Sequence, residues 1–126
     1  MIAGIGVDII EVGRIRRIVE RHGERFLQRV FSEQEIAYCR RCAHPYQRFA
    51  TRFAAKEAVL KALGVGWQQG TSFRDVQVSN DELGAPTVRL QGRSLEISRR
   101  LGVTRIFISL SHDRNYAMAQ AVAEGE

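Results

Sequence analysis

The spacing of apolar and polar residues changes along the chain, and each spacing predicts a different element of secondary structure. Residues 2–10 are apolar and largely β-branched apart from two glycines and one aspartate, and this pattern predicts a buried strand. Residues 11–22 repeat their apolar positions with the period of a helix, which Gly23 should end. The short segment 26–31 receives no assignment. The chain therefore begins with a strand and a helix.

Helix-start signals mark two further helices in the first half of the chain. Ser32 and Glu35 have the spacing of a capping box, in which the serine accepts a backbone hydrogen bond and the glutamate reaches back to the backbone. We expect this helix to run to about Arg41. Pro45 suits a first helical position and opens the longest helix, which ends at Gly64.

The second half changes to the alternating pattern of strands. Two pairs of strands are predicted, at 75–79 and 87–91 across the turn-rich segment 80–86, and at 105–111 and 116–122 across the turn 112–115. A weaker helical pattern occupies residues 93–101 between the pairs, before Gly102. The order of elements predicts an α+β fold, with a mainly antiparallel sheet packed against the long helix, in one domain over residues 1–126.

Composition is ordinary for a soluble globular domain, with 44% hydrophobic and 26% charged residues. No apolar run approaches the roughly 18 residues of a membrane span. The first residues also lack the positive leader and small-residue cleavage site of a secretory signal. We therefore expect a cytoplasmic protein that does not interact with membranes.

The charge indicates an acidic partner, because the net charge is +5 and the isoelectric point is about 9.9. Arg14, Arg17 and Arg21 line up opposite the apolar side of the first helix, either as a docking surface or as a solvated face. A nucleic-acid-binding module is the main alternative function. Aromatic residues make up only 8% of the chain, however, and no recognition motif is present, so we expect no nucleic acid partner.

Two cysteines, Cys39 and Cys42, form a single C-x-x-C motif. A zinc or redox site would need a second ligand pair or a strand that leads into the motif, and the sequence predicts neither. The three histidines do not follow at metal-ligand spacings. We interpret the motif as two reduced thiols near the end of a helix, and a thiol redox protein remains the third hypothesis.

The long helix carries Glu57 and Lys61, which are four residues apart and therefore share a face. Ala50 and Ala54 project on the same face, as a lane of small residues with room for something other than a side chain. The alternative is purely structural, because Glu followed by Lys at this spacing stabilises a helix by about 0.2–0.5 kcal/mol.

A third charged residue, Asp8, lies within the apolar first strand, where an unpaired carboxylate is costly to bury. It could cap the following helix together with Glu11, or it could bind a metal ion, and these roles are compatible. Two carboxylates from separate elements suit Mg²⁺, and a nearby lysine would neutralise charge on a phosphoryl group. Asp8, Glu57 and Lys61 are therefore candidates for pyrophosphate chemistry.

Three motifs together resemble the holo-acyl carrier protein synthases, the small 4′-phosphopantetheinyl transferases, in order and spacing over nearly the whole chain. The strand motif G-x-G-x-D-[IV] corresponds to Gly4, Gly6, Asp8 and Ile9. The helix motif R-F-[AV]-x-K-E-A-x-x-K corresponds to Arg52, Phe53, Lys56, Glu57, Ala58 and Lys61. The loop motif N-[DE]-E-x-G-x-P corresponds to Asn80, Glu82, Gly84 and Pro86.

The resemblance implies the 4′-phosphopantetheinyl transferase fold and a Mg²⁺-dependent transfer of 4′-phosphopantetheine from coenzyme A to a serine of apo acyl carrier protein. The reaction would release 3′,5′-ADP and support fatty acid biosynthesis. Asp8 and Glu57 would bind Mg²⁺, and Lys61 would contact the coenzyme A pyrophosphate; these three residues form the implied catalytic set. The resemblance leaves open whether a metal-activated water or a carboxylate takes the serine proton.

The resemblance also assigns binding residues and an assembly. Coenzyme A would be placed by Arg52, Lys56, Lys61 and His112, and the arginine face of Arg14, Arg17 and Arg21 would dock the acidic carrier protein. Family members are typically homotrimers with active sites between subunits. Two departures bear on coenzyme binding: Ala85 stands where many members have a lysine, and Asp113 next to His112 weakens the case for a 3′-phosphate contact.

Overall fold

The computed structural model describes residues 1–65 and 70–126. Its strands are β1 (Ile2–Glu11), β2 (Val76–Asn80), β3 (Pro86–Leu90), β4 (Val103–His112) and β5 (Tyr116–Gly125). Its helices are α1 (Val12–His22), α2 (Glu24–Val30), α3 (Glu33–Arg41), α4 (Pro45–Ala62) and α5 (Gly92–Arg100), and a 3₁₀ turn, Phe73–Asp75, precedes β2.

The strands form two antiparallel sheets, which confirms the predicted α+β class. The larger sheet has the order β1-β5-β4, and the smaller one pairs β2 with β3. In the larger sheet Asp8 lies opposite Ala119 of β5. Strands β4 and β5 extend beyond the predicted ranges, because their ends pair with each other and with β1.

Helix α4 packs across one face of the larger sheet, and glycines make this packing close. A Cβ atom added to Gly4 would overlap the carbonyl oxygen of Ala62, and one added to Gly6 would overlap that of Ala58. Ala50 and Ala54 are completely buried in the same core. The predicted lane of small residues is therefore part of the protein core.

The other face of β1 corrects the prediction of a fully buried strand. Ile5, Val7 and Ile9 are 65%, 51% and 62% exposed, because α4 covers only the opposite face of the sheet. Met118 lies opposite Ile9 on β5 and is also exposed, as is Phe107 on β4. The sheet thus presents an open apolar face that spans all three strands.

The helix boundaries agree with the sequence signals at most ends. The capping box of Ser32 and Glu35 is present, Pro45 occupies the first turn of α4, and Gly23 ends α1 with a positive φ of 56°. Helix α2 was not predicted, since its seven residues are too few to establish a helical period. None of the helices within the described residues is long and apolar enough to cross a membrane.

Candidate active site

Strand β1 and helix α4 bring Asp8 and Lys61 together. The ammonium of Lys61 donates to Oδ1 of Asp8 at 3.2 Å and to the carbonyl oxygen of Val7 at 3.0 Å. The expectation that Asp8 caps α1 was wrong, because Glu11 is the N-cap residue and no side chain caps this helix. The Asp8 carboxylate therefore faces α4 from within the strand.

Glu57 lies one turn before Lys61 on α4 and is half-buried. Burial raises the pKa of its carboxyl group above the ordinary value, and the charge of Asp8 raises it further, while Lys61 and Arg14 oppose the shift. Asp8 and Glu57 are thus close enough for their charges to interact. Within residues 1–65 and 70–126, Lys61 forms its ion pair with Asp8. The alternative, a helix-stabilising ion pair between Glu57 and Lys61, is not formed among these residues.

These residues suit a hard divalent cation. The charges of Asp8 and Glu57 repel each other, so a cation between the two carboxylates would relieve a repulsion that adds to the effect of burial on the pKa of Glu57. Oxygen ligands are those that Mg²⁺ prefers, and this ion commonly keeps waters and takes substrate phosphate oxygens. In the described part of the chain, no group of three or more His, Cys, Asp or Glu side chains could hold a metal ion.

Arg52 and His112 line a separate cavity of about 310 Å³, together with Arg48 and Asn80. Nη2 of Arg52 donates to Oδ1 of Asn80 at 2.8 Å. The guanidinium also lies 4.2 Å from the centre of the Tyr38 ring. Two of the predicted coenzyme-binding residues therefore share one pocket, and the loop motif contributes to it through Asn80.

Lys56 does not agree with its predicted role in binding coenzyme A. Its side chain is completely buried, and its ammonium donates to Oε1 of Glu35 at 2.8 Å and to the carbonyl oxygens of Phe73 and Val76 at 2.9 and 2.5 Å. Burial lowers the pKa of Lys56, while Glu35 raises it. All three N–H donors of the ammonium are used inside the protein. We therefore correct the assignment of Lys56 to coenzyme A binding: this residue stabilises the core.

Asp113, the acidic residue next to His112, stabilises the turn that follows β4. Oδ1 of Asp113 accepts hydrogen bonds from the backbone N–H groups of Asn115 and Tyr116 at 2.8 and 2.7 Å. These bonds lower the pKa of Asp113. The carboxylate is therefore engaged in shaping the turn, while the exposed ring of His112 borders the Arg52 cavity.

The predicted site residues form two groups within one chain. Asp8, Glu57 and Lys61 make up the first, and Arg52 and His112 belong to the second. Arg52 and Glu57 are five residues apart on α4, which places them about 140° apart around the helix axis. The two groups consequently lie on different sides of α4.

The arginines of α1 form a third feature. Arg14, Arg17 and Arg21 are exposed and border one shallow basic surface. Arg14 also lines a neighbouring apolar groove of about 370 Å³, whose walls include Ile18, Phe26, Phe53 and Leu60. Since Arg14 also influences the pKa of Glu57, the basic surface, the groove and the carboxylates are neighbours.

The cysteines provide no support for the redox hypothesis. Cys39 is completely buried, and burial raises the pKa of its thiol to about 12. Thiolate is the reactive form of cysteine, so this shift opposes reactivity near neutral pH. The thiol of the half-buried Cys42 donates to the carbonyl oxygen of Tyr38.

Sequence reasoning missed Tyr38 and the contact that Asn80 makes with Arg52. Asn80 belonged to a recognised motif, but its partner on α4 could not be derived from the spacing. Tyr38 follows Glu35 by three residues in α3, and this shared helix face is the signal that could have indicated a contact with α4.

Comparisons with known proteins agree with these motifs. The model of the 4′-phosphopantetheinyl transferase superfamily matches residues 4–121. A holo-[acyl-carrier-protein] synthase of Solibacter usitatus is 44% identical over 124 residues, which cover 98% of this chain and 99% of the relative.

Solved structures show the same fold. Holo-[acyl-carrier-protein] synthase from Neisseria meningitidis has a TM-score of 0.90 at 34% identity and covers 98% of this chain and 99% of its own. The Helicobacter pylori enzyme, in complex with coenzyme A, has a TM-score of 0.84 at 34% identity. The match covers 95% of this chain and 99% of that enzyme's chain. Since sequence and fold both match over nearly the whole length, the chain belongs to the holo-[acyl-carrier-protein] synthases, which are phosphopantetheinyl transferases.

Proposed function

We propose that this protein transfers 4′-phosphopantetheine from coenzyme A to a serine of apo acyl carrier protein, with Mg²⁺, and releases 3′,5′-ADP in support of fatty acid biosynthesis. One observation carries the proposal: α4 and β1 hold the Lys61 ammonium against Asp8, with the Glu57 carboxylate beside them. The complex of the Helicobacter pylori relative with coenzyme A supports the choice of donor.

Asp8 and Glu57 are the residues that would hold Mg²⁺. When bound, the ion supplies positive charge that offsets the charge developing on the pyrophosphate. Lys61 contributes a second positive charge from the protein, and its half-exposed side chain leaves it accessible to a phosphate.

We place the coenzyme between subunits of a homotrimer. In one chain the cavity of Arg52 and His112 lies on a different side of α4 from the Asp8–Glu57 pair, so two chains would complete one site. The open apolar face of the larger sheet, with Ile5 and Ile9 above 60% exposed, favours self-association. Measuring the mass of the protein in solution tests this point, and a monomer would contradict it.

We place the carrier protein on α1. Arg14, Arg17 and Arg21 offer positive charge to an acidic helix, and the groove beside Ile18 and Phe26 can accept an apolar side chain from that helix. The surface adjoins Glu57, which is where the serine must arrive. We infer that residues 1–126 act as one domain in the cytoplasm with this partner.

Mass spectrometry tests the transfer directly. Apo carrier protein incubated with coenzyme A, Mg²⁺ and this protein should gain the mass of one phosphopantetheine. The matched control replaces Asp8 by alanine in an otherwise identical reaction and should leave the carrier unchanged. An unmodified carrier in the presence of folded wild-type protein and metal would contradict the proposal.

A nucleic-acid-binding module remains the alternative suggested by the net charge of +5. Binding through phosphates weakens steeply as salt rises. Titrations of duplex and single-stranded probes at increasing salt separate the two functions, because we expect no such binding here.

A further inference from the structure

Glu35 of α3 is a capping-box residue that is unusually buried, at 3% exposure. Its Oε1 accepts from the backbone N–H of Ser32 and from Nζ of Lys56, both at 2.8 Å, and its Oε2 accepts from the backbone N–H of Val78 at 2.8 Å. One carboxylate therefore fixes three elements relative to one another: α3, α4 and β2.

Arg52 makes a second link between the same helix and strand. It lies one turn before Lys56 on α4, and it donates to Asn80, two residues after Val78 on β2. Two links therefore join α4 to β2 in a ring of contacts. The first runs from Lys56 through Glu35 to Val78, and the second runs from Arg52 to Asn80. The position of the Arg52 guanidinium is consequently coupled to the position of β2.

Tyr38 completes the arrangement from the same face of α3 as Glu35. Its ring covers one face of the Arg52 guanidinium at 4.2 Å. Within residues 1–65 and 70–126, Asn80 is the hydrogen-bond acceptor for this guanidinium, and its buried Nε has no partner. Tyr38 and Arg52 also line two cavities, of about 310 and 350 Å³.

We propose that Tyr38 is a positioning residue for coenzyme A, which orients Arg52 through stacking without itself carrying out the chemistry. This rests on the proposed function, in which Arg52 contacts the coenzyme. A long arginine side chain loses rotamer freedom when it binds a ligand. Tyr38 and Asn80 hold the guanidinium before the coenzyme arrives, so less of this freedom is lost on binding.

The matched variants are Tyr38→Leu and Tyr38→Phe. Leucine keeps apolar bulk but removes the aromatic face, whereas phenylalanine keeps the face. We expect Tyr38→Leu to raise KM for coenzyme A about fivefold to twentyfold, with kcat and KM for the carrier protein close to wild type. Tyr38→Phe should restore the wild-type KM. Binding of 3′,5′-ADP, measured by calorimetry, should weaken by the same factor in Tyr38→Leu.

A double-mutant cycle tests whether the effect passes through Arg52. Arg52→Ala alone should raise KM for coenzyme A, and adding Tyr38→Leu to it should raise KM no further. Additive effects would overturn the proposal, as would an unchanged KM and 3′,5′-ADP affinity in Tyr38→Leu. If Tyr38→Leu does not fold, Asn80→Ala at an exposed position removes the other contact of Arg52 and should raise KM in the same way.

Different experimental results would contradict the proposed function and the positioning role of Tyr38. A wild-type protein that transfers no phosphopantetheine would contradict the function itself. A wild-type protein that transfers it, with the same KM for coenzyme A in all Tyr38 and Asn80 variants, would contradict only the positioning role.

Discussion

Lys61 donates to Asp8 across the junction of α4 and β1, with 3.2 Å between Nζ and Oδ1. Its side chain is 52% exposed, whereas that of Asp8 is 17% exposed. Ion pairs that water reaches contribute about 0–1 kcal/mol to stability, and the half-exposed ammonium of Lys61 opens this pair to such screening. The position of Lys61 therefore matters more for what the site binds than for the stability of the fold.

We predict that Lys61→Met lowers kcat/KM at least about a hundredfold and changes the free energy of unfolding by less than about 1 kcal/mol. Lys61→Arg should restore only part of the activity, because a flat guanidinium replaces a compact ammonium. The measurements are the mass-based transfer assay and urea denaturation. Full activity in Lys61→Met would remove this residue from the catalytic set.

The buried lysine gives the opposite expectation. Lys56→Met should lower the free energy of unfolding by about 3–5 kcal/mol, because it leaves the buried Glu35 carboxylate without its cation and two carbonyl oxygens without a donor. Urea denaturation compares it with Lys61→Met, which is a matched control since these are the only two lysines of the chain. Equal stability of the two variants would contradict the assignment of Lys56 to the core.

The burial of Glu57 and its repulsion from Asp8 both raise the pKa of its carboxyl group, and they predict a conflict between stability and function. The raised pKa of Glu57 means that its stabilising contribution is present below its ordinary value of 4.5 and is lost as the pH rises through the folded-state pKa. In metal-free buffer near neutral pH, Glu57→Gln should therefore raise the melting temperature by about 2 °C, and the difference should vanish near pH 4.

The same variant should lose activity, because an amide is a weaker ligand for Mg²⁺ than a carboxylate. Glu96→Gln on the exposed side of α5 serves as a control and should change neither quantity. A melting temperature that falls in metal-free Glu57→Gln would show that the attraction of Lys61 and Arg14 outweighs burial and the repulsion from Asp8.

The sequence predicted most of the fold because its local signals are strong. The capping box at Ser32, the proline at 45 and the glycine at 23 set helix ends by chemistry that acts within a few residues. The open face of β1 was not predicted, since periodicity reports an apolar strand but cannot identify what covers it.

The site was predicted less completely for a related reason. The sequence grouped Asp8, Glu57 and Lys61 as candidates, and the packing of β1 on α4 places them close together. Lys56 was assigned to coenzyme A because the motif contains it, yet its partners come from residues 17–21 positions away along the chain. Such contacts depend on the tertiary fold, which spacing within one helix does not encode.

The basic face of α1 predicts a selective defect in carrier binding. Arg17→Glu should raise KM for the carrier protein about tenfold or more, while KM for coenzyme A stays close to wild type. Added salt should raise the wild-type KM for the carrier, and the salt dependence should be weaker in the variant. Arg100→Glu on α5 makes the same charge change away from α1 and serves as the control. Equal effects of the two variants would indicate that net charge alone governs the interaction.

The close packing of β1 on α4 makes a prediction about glycines. Gly6→Ala should destabilise the protein by several kcal/mol, on the order of 3, because its Cβ would overlap the carbonyl oxygen of Ala58 and push β1 away from the helix. The matched control is Gly13→Ala in α1, where the added Cβ meets only the flexible end of Arg17 and stability should be unchanged or slightly higher. Urea denaturation measures both. Because Asp8 follows Gly6 on the same face of β1, a folded Gly6→Ala protein should also lose transfer activity. A variant with wild-type stability and activity would show that the contact between Gly6 and Ala58 does not position the Asp8 carboxylate.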